Sequence, residues 1–235
     1  MRELFRTSVQ VLLAGMLALA LAPRLAARKH PTDLTEILAD MNEAAKHLKT
    51  VSANLEYTKV TVLVDDKATE TGQLFFRKGK TAPEIRIVMD KPENKVLLFK
   101  KNKGQIYYPK INQIQEYDLG QKSDLVQQFL LLGFGTDTAE LKKSYTLKYL
   151  QEAELDGEST VLLELVPRRQ NVAAQISKIQ IWVSEDSWLP AQQKFFEAGG
   201  DYLIARYSAV KANRDLPNSK FELDAPANAK VVKMN

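Results

Sequence analysis

The chain has no cysteine, and its only histidines are His30 and His47. Without cysteine there is no disulfide, no thiol nucleophile and no N-terminal cysteine to carry a lipid. Two histidines with no partner at ligand spacing leave no basis for a histidine metal centre. Aromatic residues make up 8% of the 235 positions, so any apolar core must be built mainly from aliphatic side chains. Charge of neither sign prevails: 33 basic residues face 29 acidic ones, for a formal net charge of +4. That balance argues against a nucleic-acid binder, which relies on phosphate neutralisation. The stretch Arg77-Lys78-Gly79-Lys80-Thr81 lacks the upstream glycine and spacing of a phosphate-binding loop. Carboxylate pairs such as Glu152 with Glu154, or Asp215 with Glu222, read as solvated surface charge rather than hydrolytic acids. The inventory points to a protein that binds or carries something, not to an enzyme, and calls for no cofactor or metal.

What is present begins at the N-terminus. Arg2 and Arg6 precede Val9–Ala22, which is apolar apart from Gln10. That run suits the apolar region of a signal peptide and falls short of the roughly 20 residues of a membrane span. Ala20-Leu21-Ala22 has the small-x-small form of a cleavage site but is followed by Pro23; Leu25-Ala26-Ala27 is the next candidate. Residues 1–27 are expected to be a signal peptide and 28–235 a single domain. Export of a chain without a lipidated cysteine implies a soluble periplasmic protein of a Gram-negative bacterium, expected to be a monomer. Removing residues 1–27 takes away three arginines and one glutamate, so the mature chain is near +2.

Asp33 is placed to cap a helix, with Glu36 three residues later, and Leu34, Ile37, Leu38, Met41, Ala44, Ala45 and Leu48 follow at helical spacing. From residue 52 the period switches to two. Strands are predicted at 52–62, 72–77, 85–89, 96–99, 105–108 and 112–119, then at 145–154, 158–166, 176–184, 191–197 and 202–211, with a last one near Phe221–Leu223. Asp156-Gly157 signals a hairpin, and Asp65-Asp66 reads as another polar turn. Two short helices are expected between the strand groups: one capped by Ser123 with Leu125, Val126, Phe129, Leu130 and Leu132 on its apolar side, and one over 138–143 capped by Asp137. The fold class is mainly β (α+β): about eleven strands in a strongly curved antiparallel sheet, an unclosed half-barrel covered by the N-terminal helix and short central helices.

Three strands carry an almost purely aliphatic face: Ile85, Ile87 and Met89; Val161, Leu163 and Leu165; Ile179, Ile181 and Val183. Such a face either packs as core or encloses an apolar cavity. The cavity reading makes these nine residues its walls, with Leu34, Ile37, Leu38, Met41, Leu125, Phe129 and Leu132 forming an adaptable lid. Lys100, Lys101, Lys103 and Lys110 form a basic run around a hairpin, either a solvated edge or a docking patch for an acidic partner or for lipid headgroups.

The chain resembles the LolA family of periplasmic carriers of outer-membrane lipoproteins over about residues 34–233. The resemblance rests on spaced features: a helix leading into a strand from Ala53-Asn54-Leu55; Gly72-x-Leu74 within GQLFFRKGK; Asp90-Lys91-Pro92; Val96-Leu97-Leu98; Gly104-Gln105-Ile106-Tyr107-Tyr108-Pro109; Leu163-Glu164-Leu165-Val166-Pro167-Arg168; and Lys220-Phe221-Glu222-Leu223 with Pro226. It implies an eleven-strand half-barrel with a helical lid. It also implies acylated lipoproteins as cargo, an inner-membrane ABC exporter as donor and an outer-membrane receptor as acceptor. The family's functional arginine, implied to contact the lid, falls on Lys78 with Arg77 beside it, and Gly79 stands where proline is usual; an ammonium there cannot reproduce a guanidinium fork. The same half-barrel also serves lipid- or stress-sensing regulatory modules, which is the competing expectation.

Overall fold

The polypeptide is described by a computed structural model over residues 33–79, 82–120, 132–135 and 137–234. The segment expected to be a signal peptide and the helix expected over 123–132, apart from Leu132, lie outside the described residues.

The first helix, α1 (Leu34–His47), begins where the sequence places it: the Asp33 side chain accepts from the Thr35 amide at 3.0 Å. Glu36 in its first turn and Lys46 and His47 in its last complement the helix dipole. Ile37, Leu38, Met41 and Ala45 are buried along one stripe. His47 stands on the exposed side, 2.8 Å from Glu43.

Twelve strands follow: β1 (Thr50–Thr61), β2 (Asp66–Arg77), β3 (Glu84–Lys91), β4 (Lys95–Lys100), β5 (Lys103–Tyr108), β6 (Gln113–Asp118), β7 (Tyr145–Leu155), β8 (Glu158–Pro167), β9 (Ile176–Ser184), β10 (Pro190–Glu197), β11 (Tyr202–Ala212) and β12 (Lys230–Met234). Two short helices, α2 (Thr138–Ser144) and α3 (Gln170–Ala173), interrupt them. All twelve strands join one curved, unclosed sheet in the order β12-β6-β5-β4-β3-β2-β1-β11-β10-β9-β8-β7. The half-barrel expected from the sequence is therefore the observed fold.

Two details differ from the expectation. The strand β2 starts at Asp66, not Gly72, because it pairs residue for residue with β1 along their whole length, from Thr50 opposite Arg77 to Thr61 opposite Asp66. The polar residues 67–71 give little strand signal alone and are held by the partner strand. The strand expected near Phe221 is instead a 3-10 turn, Asn218–Phe221, started by Pro217. Phe221 is buried against the outer side of the sheet, under Arg77. The real last strand, Lys230–Met234, pairs in parallel with β6, so the segment after β11 must run back across the sheet from β1 to its far edge. On the way Arg77 stacks on the Phe221 ring at 4.2 Å, the Lys220 ammonium lies 4.6 Å from the Phe75 ring, and Arg86 meets Asp224 at 3.2 Å.

The aliphatic residues form two clusters. One joins α1 to β8 and β9 through Ile37, Leu38, Met41, Leu163 and Ile181; the other joins β1, β2 and β3 to Phe134 through Val51, Leu74, Phe76 and Ile85. A β-bulge at Thr71/Gly72 brings β2 and β3 so close that a Cβ on Gly72 would stand 1.9 Å from the Val88 carbonyl oxygen. The obstacle is backbone, so a Gly72→Ala substitution is expected to destabilise the fold by about 1–3 kcal/mol. The measurement is the urea midpoint; an unchanged midpoint would mean the two strands separate there at no cost.

Candidate functional site

Between the two clusters the sheet leaves a cavity of about 490 Å³, bounded by members of both. That volume falls within the ~300–1,000 Å³ of sites that bind small molecules. The wall is aliphatic and aromatic: Leu55, Leu74, Ile87, Met89 and Leu97 from β1–β4, and Ile176, Phe195, Leu203 and Ala205 from β9–β11. Alternation builds it, since Ile87 and Met89, or Leu203 and Ala205, are two residues apart and point to one face.

Polar groups stand at two levels. Tyr57, Glu70, Lys95 and Gln175 lie toward the open end, and Lys95 Nζ is 2.8 Å from the Glu70 carboxylate. Burial raises the Tyr57 hydroxyl pKa, and the negative charges of Glu70 and Glu197 raise it further, so it remains a neutral donor. Deeper in, the Tyr207 hydroxyl donates to Gln193 Oε1 at 2.9 Å, and Gln193 Nε2 donates to the Leu132 carbonyl. Burial pushes the Tyr207 phenol far above its ordinary value, so it too stays a donor. Phe134 packs edge-on against Tyr207, with ring centroids 4.9 Å apart. Gly133 (φ +85°) and Gly135 (φ +69°) let the chain turn tightly here, and a Cβ on Gly133 would meet Pro190 at 2.6 Å. The segment 132–135 is thus fastened to the cavity floor by one side-chain hydrogen bond and one aromatic contact.

The residues expected from the sequence divide between these regions. Ile87 and Met89 are on the cavity wall, and Ile85 lies on the same face in the cluster around Phe76. Val161, Leu163, Leu165, Ile179, Ile181 and Val183 are fully buried and pack with Ile37, Leu38, Met41 and Leu132 of the expected lid. Leu34 sits half-buried at the margin of that cluster, while Leu125 and Phe129 lie outside the described residues. Arg77 binds Glu84 of β3 and donates to Asn218 Oδ1 at 2.7 Å, besides stacking on Phe221. Lys78 is exposed, and its amide donates to the Lys49 carbonyl at 2.7 Å. Lys100 and Lys103 pair with Glu84 and Glu116 at the β4–β5 turn. Lys110 occupies the turn after β5, at the other end of that strand, so the basic run is not one patch. Sequence reasoning missed Gln193, Tyr207, Glu70 and Lys95. The first had a signal: in Ala191-Gln193-Phe195 a glutamine occupies an inward position between apolar ones, which demands a buried hydrogen-bond partner.

The sequence matches the family model described as "Outer membrane lipoprotein carrier protein LolA" over residues 46–224. The chain belongs to the LolA family. A curated relative, an uncharacterised protein of Methanocaldococcus jannaschii, is 22% identical over 129 residues, 55% of this chain; the match spans only 36% of the archaeal protein. Among solved structures, MucB is 16% identical with a TM-score of 0.55, over 86% of this chain and 66% of that one. The lipoprotein LppX of Mycobacterium tuberculosis is 14% identical with a TM-score of 0.50, over 79% of this chain and 99% of that one. At these identities the two structures show that the fold is shared. MucB of Pseudomonas aeruginosa has also been solved in complex with MucA.

Two consequences are measurable. Ile181 is fully enclosed, so Ile181→Ala should cost about 2–5 kcal/mol of stability. Ile87 is buried but has part of its surface on the cavity, so Ile87→Ser should cost less stability than Ile181→Ala. Removing its apolar surface from the wall takes away ~1.5 kcal/mol of ligand burial, which weakens binding of an apolar fluorescent probe about tenfold. Equal destabilisation of both variants with unchanged probe affinity would remove Ile87 from the binding wall. Around Arg77, burial alone would raise the Glu84 carboxyl, but the Arg77 hydrogen bond and charge, with Lys100 at 3.4 Å, outweigh it and hold the pKa below its usual 4.5. A depressed folded-state pKa gives stability that is present above the unfolded value and lost as pH falls through the folded one. The urea midpoint should therefore drop on acidification below about 4.5, and Glu84→Gln should flatten that slope; an identical slope in the variant would show that other carboxylates carry it.

Proposed function

We propose that this LolA-family chain is a periplasmic carrier that holds the acyl chains of lipoproteins, or of another lipid, in the cavity between β1–β4 and β9–β11. In this reading residues 1–27 are its export signal and 28–235 its one functional domain. The observation that carries the reading is the cavity itself: about 490 Å³ of space with an aliphatic wall, kept open in a sheet whose inner face is filled beneath α1. Each methylene removed from water contributes roughly 0.8 kcal/mol, so a sixteen-carbon chain costs on the order of 12 kcal/mol to expose. No acylated molecule crosses an aqueous compartment at that cost unless a cavity shields it.

The family description supports lipoprotein cargo. An inner-membrane ABC exporter as donor and an outer-membrane receptor as acceptor are the partners the family resemblance implies, and they belong to this proposal. The residues around the cavity suit carriage better than turnover. The Lys95–Glu70 pair and the Tyr207–Gln193 pair each consume their own charge or hydrogen-bonding capacity, and both tyrosines remain neutral. What they offer a ligand is orientation at the rim and floor of an apolar slot. The alternative, a lipid- or stress-sensing module, draws on the fold shared with MucB.

Native mass spectrometry of the exported protein, followed by lipid extraction, tests the reading. Acylated cargo released in stoichiometric amount is the expected result. A clean apo mass together with one retained protein partner would favour the sensing module instead.

A further inference from the structure

The tip of the β1–β2 hairpin breaks the rule that large aliphatic side chains avoid water. Val62, Leu63 and Val64 form a 3-10 turn and are 53%, 93% and 69% exposed. Three consecutive exposed aliphatics at a convex apex are not the scattered surface residues that need no account. The register shows where this apex lies. Gln73, Val88, Val96, Tyr107 and Ile114 form one row across β2–β6. Measured from that row, the β1–β2, β3–β4 and β5–β6 turns fall at the same end of the sheet. The rim residues Tyr57 and Glu70 sit opposite each other in β1 and β2, only a few residues before the turn. Pairing of β2 with β3 stops at Thr71, so Asp66–Glu70 carry the tip beyond the neighbouring strand. The apolar apex therefore projects past the open end of the cavity, and Ile111, 61% exposed, occupies the β5–β6 turn at that same end.

We propose that Val62-Leu63-Val64 seats the open end of the cavity on a lipid bilayer, so that an acyl chain passes between membrane and cavity without crossing bulk water. The proposal rests on the carrier reading and adds the surface through which cargo enters or leaves. Three observations favour a bilayer over a protein partner. First, the turn's backbone is partly satisfied from within: the Asp65 amide donates to the Val62 carbonyl at 3.3 Å and the Val62 amide to Asp201 Oδ1 at 2.9 Å, which reduces the cost of entering an apolar phase. Second, Phe196 and Tyr202 stand just behind the apex, ring centroids 6.1 Å apart, with Lys194 Nζ 3.8 Å from the Tyr202 ring; aromatic and basic groups of this kind favour the headgroup layer. Third, the apex is convex and aliphatic, which suits a fluid hydrocarbon surface that needs no complementary pocket. Asp65 and Asp66 follow the triplet, so the seat is shallow and does not depend on anionic lipid.

Because the chain has no cysteine, one introduced thiol reports its own site. The test labels Leu63→Cys with an environment-sensitive fluorophore and, as a control, Glu158→Cys at the start of β8, at the opposite end of the sheet. Each protein is mixed with phosphatidylcholine vesicles. The expected result is a blue shift and a severalfold intensity gain at position 63 and no change at 158. No change at 63, or equal changes at both, overturns the proposal and would return the apex to protein contact. A variant with Val62, Leu63 and Val64 all changed to Ser then separates docking from carriage. It should take up a water-soluble short-chain acyl probe as well as the parent does, yet extract a long-chain probe from vesicles about tenfold more slowly. Equal extraction rates overturn the docking role. If neither protein takes up any acyl probe while the label at 63 still responds to vesicles, the carrier reading fails and the seating of the apex on lipid stands.

Discussion

The structure depends on one constraint: an unclosed sheet with an aliphatic inner face has to keep that face from water. A barrel would solve this by closing, and a sandwich by adding a second sheet. Here β12 and β7 are the two edges of the sheet among the described residues. Under α1 the face is filled: the β8 and β9 residues are fully buried against Ile37, Leu38 and Met41. Across β1–β4 the described residues close it in part, through Phe134 and the segment fastened by Gln193, and the space left between them is the cavity. The same face thus does two jobs, and the boundary between them runs near β10, where Phe195 belongs to the packed cluster and also lines the open space.

Filling on one side makes the opening on the other tolerable. Residues of a cavity wall lack partners on their open side, so the strands that carry them gain from being secured elsewhere as well. The C-terminal return supplies part of that. It crosses from β11 to the far edge, buries Phe221 under Arg77 and pairs β12 with β6. It covers Phe75 and meets Arg86, and these side chains alternate with the inward residues Leu74 and Ile87. The strands that form the cavity wall are therefore braced from behind. Arg77, which lies beside the family's lid-contact position, is committed to this bracing: its guanidinium meets Glu84, Asn218 and the Phe221 ring.

Much of this is legible in the sequence because period-two alternation is a local property. Ile85-Ile87-Met89 and Ile179-Ile181-Val183 announce strands with one apolar face wherever they occur, and Asp33 announces the helix start. What alternation does not encode is which apolar face another element covers. Ile181 and Ile87 look alike in sequence, yet one lies beneath α1 and the other faces space. That difference comes from how far α1 reaches, a tertiary fact. The full length of β2 is hidden for a related reason: residues 67–71 have weak strand character and gain it from β1. The C-terminal strand is hidden too, because Phe221-Glu222-Leu223 alternates as a strand does, whereas Val231-Val232 shows no alternation and is held in place by completing an edge.

The polar groups of the cavity close the argument about what it can hold. A purely apolar slot would bind any hydrocarbon in any direction. This one has a charged pair at its rim and a hydrogen-bonded pair at its floor, and the members of each pair bind one another. A ligand that only displaced water from the wall would leave both pairs intact, which is the arrangement an acyl chain needs. A ligand group that displaced the Gln193 amide from the Leu132 carbonyl would leave that carbonyl unpaired, at a cost of about 1–3 kcal/mol. On the proposed carrier reading, the apolar wall takes the tail and the charged pair at the rim suits a headgroup or peptide, so an amphiphile would lie tail inward, head toward the end of the sheet from which the Val62-Leu63-Val64 apex projects.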